Sequence, residues 1–331
     1  MNLLRQAANA VMGHAKAAVG PKRPERLRDL VGQEMLVEEA EMILAGAKRF
    51  GETLGHVLLA GPPGTGKTTI ARILANEVGG RLIDVGVGGI KKPEDVYKFL
   101  SQLRDGDILF IDEIHQVPQK VQEYFFIPME DNKLVLQTDS GPRDVELPRW
   151  TLIGATTLPH KLDPALKRRF PNKFALKLLK PEDLGPIAKS MARSLGVAAT
   201  DEAIAMLTHM GGGTPGVTKN MLLKARNAMA LMGKSEIDAD VVRMMQRKLR
   251  LDSLGLNENE RGVLEVLEDK TGPTSLNELS NTLGLDKRFI EDDLEPRLIR
   301  NQLMRRGHGG REITDKGRAH LRKHRHESQG G

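Results

Sequence analysis

The chain contains no cysteine, which excludes disulfides and thiolate metal sites and fits a reducing compartment. Long hydrophobic runs are missing too. No apolar stretch approaches the roughly 18 to 20 residues of a membrane span, and the opening segment MNLLRQAANAVMGHAKAAVG lacks the apolar core of a signal peptide. These absences make the cytoplasm the expected location. Nine histidines remain as metal-ligand candidates, yet His320, His324 and His326 fall in a basic tail that reads as a solvated face. What is present suffices for folded cores: 39% of the 331 residues are hydrophobic, and that length suggests two or three domains. The formal charge is +6 with a pI near 9.4, which permits attraction to nucleic acid. Its distribution says more. Between Arg300 and Arg325 the basic residues Arg305, Arg306, Arg311, Lys316, Arg318, Arg322, Lys323 and Arg325 face only Glu312 and Asp315.

The chain is organised around His56 to Thr69, HVLLAGPPGTGKTT. Val57, Leu58 and Leu59 read as a buried strand. Gly61, Pro62, Pro63, Gly64, Thr65, Gly66, Lys67 and Thr68 then fit the phosphate-binding pattern G-x-x-x-x-G-K-[ST], and Thr69 leads into a helix with Ile70, Ile73, Leu74 and Val78 on one face. Backbone N–H groups of such a loop turn toward phosphate oxygens, Lys67 adds a point charge at the β/γ end, and the Thr68 hydroxyl is available to Mg²⁺. This pattern marks a nucleoside triphosphate site.

Around it, RLIDVGV from Arg81, DILFIDE from Asp107, TLIGATT from Thr151 and FALKLL from Phe174 read as short buried strands separated by helical stretches. That alternation implies a parallel α/β sheet with ligand chemistry at the carboxyl ends of its strands. Before the loop, Asp29 or Gly32 is expected to open a helix with Leu36, Ile43 and Leu44 among its apolar positions. From Lys180 the pattern becomes helix after helix, with Pro181 and Thr200 at helix starts and a break at Gly211 to Gly216. From Leu256, three helical segments precede the glycine-rich turn Gly307 to Gly310, the strand REIT and a basic helix. Three helices and a glycine-tipped hairpin describe a winged helix, a module that binds nucleic acid or serves as a protein contact. The expected division is an N-terminal arm at 1–20, a large P-loop parallel sheet domain at 21–179, a small helical lid domain at 180–254, and a winged helix with basic tail at 255–331.

Further residues carry chemistry. Ile108 to Ile111 lead into Asp112 and Glu113, where one carboxylate can hold Mg²⁺ and the next can polarise the water attacking the γ-phosphate. Asp112 takes the metal role together with Thr68, and Glu113 the base role. Thr156 and Thr157 end the strand LIGATT and can orient that water. Lys167, Arg168 and Arg169 follow, supplying an arginine for the charge that develops in phosphoryl transfer. In the third C-terminal helix, the acidic run Glu291 to Glu295 is poorly suited to reading base edges. The wing and tail, through Arg305, Arg306 and Arg311, are therefore expected to bind DNA by its phosphates.

The order GPPGTGKTT, LFIDEIH, LIGATT and KRRF is similar to that of the AAA+ ATPases. The stretches RPERLRDLVGQE, FFIPMED, GGTPG, LDSLGLNENE and EPRLIRNQLMRR resemble the RuvB family of Holliday-junction branch-migration motors, over roughly residues 22 to 320. The resemblance implies an ATP- and Mg²⁺-dependent hexameric ring around duplex DNA, active on branched DNA in recombination and repair, with ATP at subunit interfaces. It implies that Arg169 acts in trans and that Gly32 and Gln33 lie near the adenine. A β-hairpin before the sensor strand, NKLVLQTDSGPRDVELP, would meet a RuvA-like junction-binding partner through Leu134, Val135 and Leu136, although three apolar residues in a row suit a core equally well. Where the family reads GTPR, this chain has Gly216 after Thr214 and Pro215, which implies weaker discrimination between ATP and ADP. Two other readings remain open: a loader that places a partner protein on DNA, and a nucleotide-gated DNA-binding scaffold.

Overall fold

The computed structural model describes residues 24–138 and 141–329. The expected arm at 1–20 and the hairpin-tip residues Asp139 and Ser140 lie outside them. The chain divides into two compact units, Lys22–Ile187 with Thr214–Gly216, and Ala188–Gly213 with Val217–Gly331. Among the described residues no helix is long and apolar enough to cross a membrane.

The first unit is built on a five-stranded parallel sheet. Its strands are β1 (Val57–Ala60), β2 (Leu82–Val85), β3 (Asp107–Ile111), β6 (Trp150–Thr156) and β7 (Asn172–Ala175), in the order β2-β3-β6-β1-β7. β4 (Lys133–Thr138) and β5 (Gly141–Glu146) form a separate antiparallel hairpin before β6. Successive strand residues point to opposite faces: Val57, Leu59, Ile108, Phe110, Ile153 and Ala155 enter one core layer, whereas Leu58, Leu109, Ile111 and Leu152 enter the other. Burial on both faces explains why these strands read as unbroken apolar runs. The helices α1 (Glu34–Phe50) and α2 (Lys67–Val78) cover the first layer. On the other side lie α3 (Pro93–Leu100), α4 (Phe126–Asp131) and α5 (Pro164–Arg168).

Two expectations shift here. The first helix begins at Glu34, not at Asp29 or Gly32, because the Asp29 carboxylate accepts the N–H groups of Glu25 and Arg26 and closes a separate helical turn, Leu27–Asp29. The strand expected from Phe174 starts two residues earlier, at Asn172, where pairing with Val57 begins. The pairing register, which the apolar run alone does not encode, sets that boundary.

In the second unit, α6 (Pro181–Ser194) enters from the first. α7 (Asp201–Gly211), α8 (Pro215–Leu231) and α9 (Ala239–Lys248) pack on one core with the two-residue strands β8 (Ala198–Ala199) and β9 (Glu236–Ile237). Thr200 and Asp238 cap α7 and α9 by accepting backbone N–H groups. A second core gathers α10 (Glu258–Glu268), α11 (Leu276–Leu283), α12 (Glu295–Arg300), the antiparallel wing β10 (Met304–Gly307) and β11 (Gly310–Ile313), and α13 (Asp315–Gln329). Ahead of α12 the helix widens into a π-helical stretch, Phe289–Leu294. Pro296 accounts for it: proline has no N–H for the carbonyl one turn back and its ring crowds that carbonyl, so the backbone expands before it.

Buried polar groups tie these helices together. Arg297 donates to the Met210 carbonyl at 2.9 Å and the Leu254 carbonyl at 3.0 Å, and lies 3.6 Å from buried Glu260. Asp252, buried in the link before α10, accepts from Leu254 N, Leu256 N and His320 Nε2 at 2.8–2.9 Å. Burial alone would raise the Asp252 carboxyl, but the His320 and Leu256 hydrogen bonds and the nearby His320 and Arg261 charges bring it below the ordinary aspartate value. A carboxyl lowered by folding stabilises the fold above its unfolded pKa and loses that contribution as pH falls through its folded pKa. Asp252→Asn is therefore expected to cost about 1–3 kcal/mol at neutral pH and to flatten the acid limb of stability below about pH 4, as measured by denaturant melts across pH.

Candidate nucleotide site and nucleic-acid interface

The sheet order sets β3, β6 and β1 side by side, so their carboxyl ends bring Asp112, Thr156 and Gly61 to one edge. Gly61 N donates to the Thr156 carbonyl at 3.1 Å, which fixes the loop to the neighbouring strand. At Gly61 a Cβ would lie 2.7 Å from the Leu176 carbonyl oxygen, so only glycine lets the loop leave the sheet here. Gly66 adopts a left-handed conformation at the entry to α2. Lys67 is buried in the first turn of that helix, with Thr68 and Thr69 half-buried behind it. Its Nζ donates to the Gly61 carbonyl at 2.9 Å and the Pro62 carbonyl at 3.1 Å, and Thr65 Oγ1 donates to Pro62 at 2.8 Å. Burial pulls the Lys67 pKa down, while the negative charges of Glu113 and Asp112 pull it up by less.

Just past β3, Asp112 and Glu113 diverge. The Asp112 carboxyl is raised by burial and by the charges of Glu113 and Asp84, with the Glu113 N–H and Lys67 opposing. Glu113 sits at φ 47°, ψ 48°, a left-handed conformation that is costly for a residue with a side chain. That turn swings its carboxylate toward the end of β6, where Oε2 accepts from Thr157 N at 3.0 Å and Thr157 Oγ1 at 2.9 Å. His115 Nδ1 lies 3.1 Å from the same oxygen and 2.9 Å from Thr156 Oγ1. Sequence reasoning assigned His115 no role, although a histidine two residues beyond the acidic pair was the available signal. Burial lowers its pKa; Lys161, His160 and Lys67 act in the same direction and Glu113 against it.

The remaining expected residues are spread more widely. Gly32 (φ 73°) packs so closely that a Cβ would lie 2.7 Å from Leu179, and the Gln33 side chain pairs with the Lys177 backbone, donating to its carbonyl at 2.9 Å. Arg169 does not contact the phosphate loop. Its guanidinium stacks on Phe126, 4.0 Å from the ring centre, and donates to the Ala165 carbonyl and to Glu130, both at 3.0 Å. Gly216, inside the first unit, donates its N–H to the Gly64 carbonyl at 3.1 Å. A Cβ at 216 would stand 3.1 Å from Gly64 Cα, so any side chain there presses on the backbone of the phosphate loop.

Two family models match the chain: "Holliday junction DNA helicase RuvB P-loop domain" over residues 22–176 and "RuvB C-terminal winged helix domain" over 253–322. The chain belongs to the RuvB family. The Holliday junction branch migration complex subunit RuvB of Leuconostoc mesenteroides is 37% identical over 305 residues, covering 90% of this chain and 87% of that protein. Its counterpart in Chlamydia felis is 35% identical, covering 91% of each. Among solved structures, the Thermotoga maritima RuvB Holliday junction branch migration motor matches with a TM-score of 0.80 and 32% identity, over 91% of this chain and 98% of that one. The RuvB-family architecture, an α/β P-loop domain and a winged helix, is thus the architecture of this chain. As a member of that P-loop family it binds nucleotide.

Two outlying regions of this RuvB-family chain differ in detail from expectation. In the β4–β5 hairpin, Leu134 is only 4% exposed and belongs to the core beneath the sheet. Val135 is half-buried, its carbonyl accepting from Tyr97 OH at 3.3 Å. Leu136 and Val145 are the exposed apolar residues, on the same face of the ribbon, and Val145 was not foreseen. In the wing, Glu295 is fully buried and shared between Arg306 and Arg311, with Glu291 beside both. The acidic run of the third helix thus turns two of its carboxylates inward to hold the wing. Arg311 keeps 14% of its side chain exposed, whereas Arg305, paired with Glu312, keeps 72%.

Two substitutions separate the roles at the phosphate edge. Lys67→Ala is expected to abolish tight triphosphate binding, since no other side chain of the loop carries charge. Glu113→Gln should retain binding and lose roughly 10²- to 10⁴-fold in turnover. Fluorescent-nucleotide titration and phosphate release measure the two effects, and equal ATP binding by both variants contradicts the assignment.

Proposed function

We propose that this chain is the ATP-hydrolysing motor subunit of a Holliday-junction branch-migration complex, acting in the cytoplasm on duplex and branched DNA. The observation that carries it is a likeness spanning about nine-tenths of the chain to proteins named as that subunit, in a chain whose phosphate loop, acidic pair and threonine pair share one sheet edge. Residues Gly61 to Thr69 hold the triphosphate, with Gly32 and Gln33 near the base. Thr68 and Asp112 hold Mg²⁺, for which a hydroxyl and a carboxylate are suitable hard oxygen donors. The ion would neutralise β- and γ-phosphate charge. Lys67 binds the phosphates, Glu113 takes the proton of the attacking water, and Thr157 orients that carboxylate. Arg169 serves the site of the neighbouring subunit in a hexameric ring.

The large ATPase domain spans 21–179, the helical lid 180–254 and the winged helix 255–331. The wing meets DNA phosphates through Arg305, Arg306 and Arg311, and the hairpin docks a RuvA-like protein. Leu136 is the hairpin contact best supported by exposure.

Hydrolysis by the assembled protein should rise on four-way-junction or duplex DNA. Stimulation by a protein client and not by DNA would favour a loader, and indifference to both a scaffold. An arginine acting across an interface is worth roughly 10³- to 10⁵-fold in turnover. Arg169→Ala and Glu113→Gln subunits, each inactive alone, should therefore recover hydrolysis when mixed. Mixtures that remain inactive would place the arginine in cis.

A further inference from the structure

Of the three successive cations Lys167, Arg168 and Arg169, Arg169 is the one held by both a ring and a carboxylate. Both come from α4, where Phe126 and Glu130 stand four residues, about one turn, apart. The ring lies against the face of the guanidinium and fixes its plane. Within that plane, Nη1 is pinned to the Ala165 carbonyl and Nη2 to Glu130, so rotation about the side-chain axis is fixed as well. Nε is buried and makes no hydrogen bond. The second N–H of each terminal nitrogen is left to act on another group. Core packing does not explain the arrangement, because the Glu130 side chain is half exposed and the protein could bury Phe126 without placing a charge beside it.

We propose that Phe126 and Glu130 are positioning residues for phosphoryl transfer, forming a cradle that presents the Arg169 guanidinium in one orientation to the neighbouring subunit's nucleotide. The inference rests on the reading of Arg169 given above. An untethered arginine samples many rotamers and must be ordered at each turnover, whereas a planar fork already held in place loses little freedom on meeting a phosphate. Glu130 acts through hydrogen-bond geometry, since its negative charge by itself would weaken the pull of Arg169 on phosphate.

The test uses the full-length protein assembled on duplex DNA, with ATP affinity and turnover measured for Arg169→Ala, Glu130→Ala, Glu130→Gln, Phe126→Leu and the Arg169→Ala/Glu130→Ala double variant. Misplacing a catalytic group by about 1 Å costs up to roughly 10²-fold, so Glu130→Ala should lower turnover by about ten- to a hundred-fold with ATP affinity unchanged. Glu130→Gln, which keeps an acceptor at the same place, should retain most of the parent rate, and the double variant should be no slower than Arg169→Ala alone. If Arg169→Ala turns over like the parent, the reading of Arg169 fails. If Arg169→Ala is inactive while Glu130→Ala turns over like the parent, or Glu130→Gln falls as far as Glu130→Ala, the cradle fails alone. Should Phe126→Leu not fold, the two Glu130 variants, altered at a half-exposed position, decide the matter.

Discussion

A single buried ammonium governs the architecture of the nucleotide site. Lys67 is taken out of water at the start of α2, and an isolated charge there would be prohibitively costly. Two loop carbonyls accept its hydrogen bonds, and two carboxylates from the end of β3, one strand beyond β6, lend their field. That requirement fixes the loop path between Gly61 and Pro62, and it calls for β3 to end near β1 so that Asp112 and Glu113 come close. It also explains the electrostatics of Asp112, whose burial raises its pKa while Lys67 limits the rise. The charges of cation and acids thus bear on one another across this edge.

Glu113 shows a second constraint. Its left-handed backbone is paid for by two donors that converge on one carboxylate oxygen, the Thr157 backbone and the Thr157 hydroxyl, with His115 Nδ1 3.1 Å from the same oxygen. The strain therefore has a purpose that can be read from geometry: it carries the carboxylate from the end of β3 to the end of β6. The wing solves an analogous problem of charge. Glu295 is fully buried, and Arg306 and Arg311 offset its desolvation while binding the hairpin to the helix before it. Positive residues that look like a DNA-binding row in the sequence are thus partly committed to the fold, and Arg305 reaches farthest into solvent.

Much of this was legible from residue patterns, because the relevant physics is local. The phosphate loop needs glycines, a lysine and a threonine at fixed spacing between a strand and a helix, and that spacing is covalent. The parallel sheet follows from unbroken apolar runs, which burial on both faces requires. Helix starts at Thr200 and after Lys180 were legible for the same reason, since a capping hydroxyl at the first, and a proline with acids in the first turn at the second, act within one turn. The first helix start was misread because Asp29, a good cap by type, is used by its own upstream backbone.

The sequence by itself determined the family, the order of strands and helices, and the residues of the phosphate loop, all properties carried by neighbours along the chain or by likeness over its length. Tertiary structure alone decided which side chains meet. It buried Leu134 and left Leu136 and Val145 exposed, although all three share one face of the ribbon, since burial at each position depends on what packs against it. It joined His115 to Glu113 across a left-handed turn and stacked Arg169 on Phe126, residues 43 positions apart. It turned Glu291 and Glu295 toward the wing arginines. Apart from the His115–Glu113 pair, two residues apart, the deciding contacts join groups whose proximity is set by packing, and packing has no signature in the spacing of either partner.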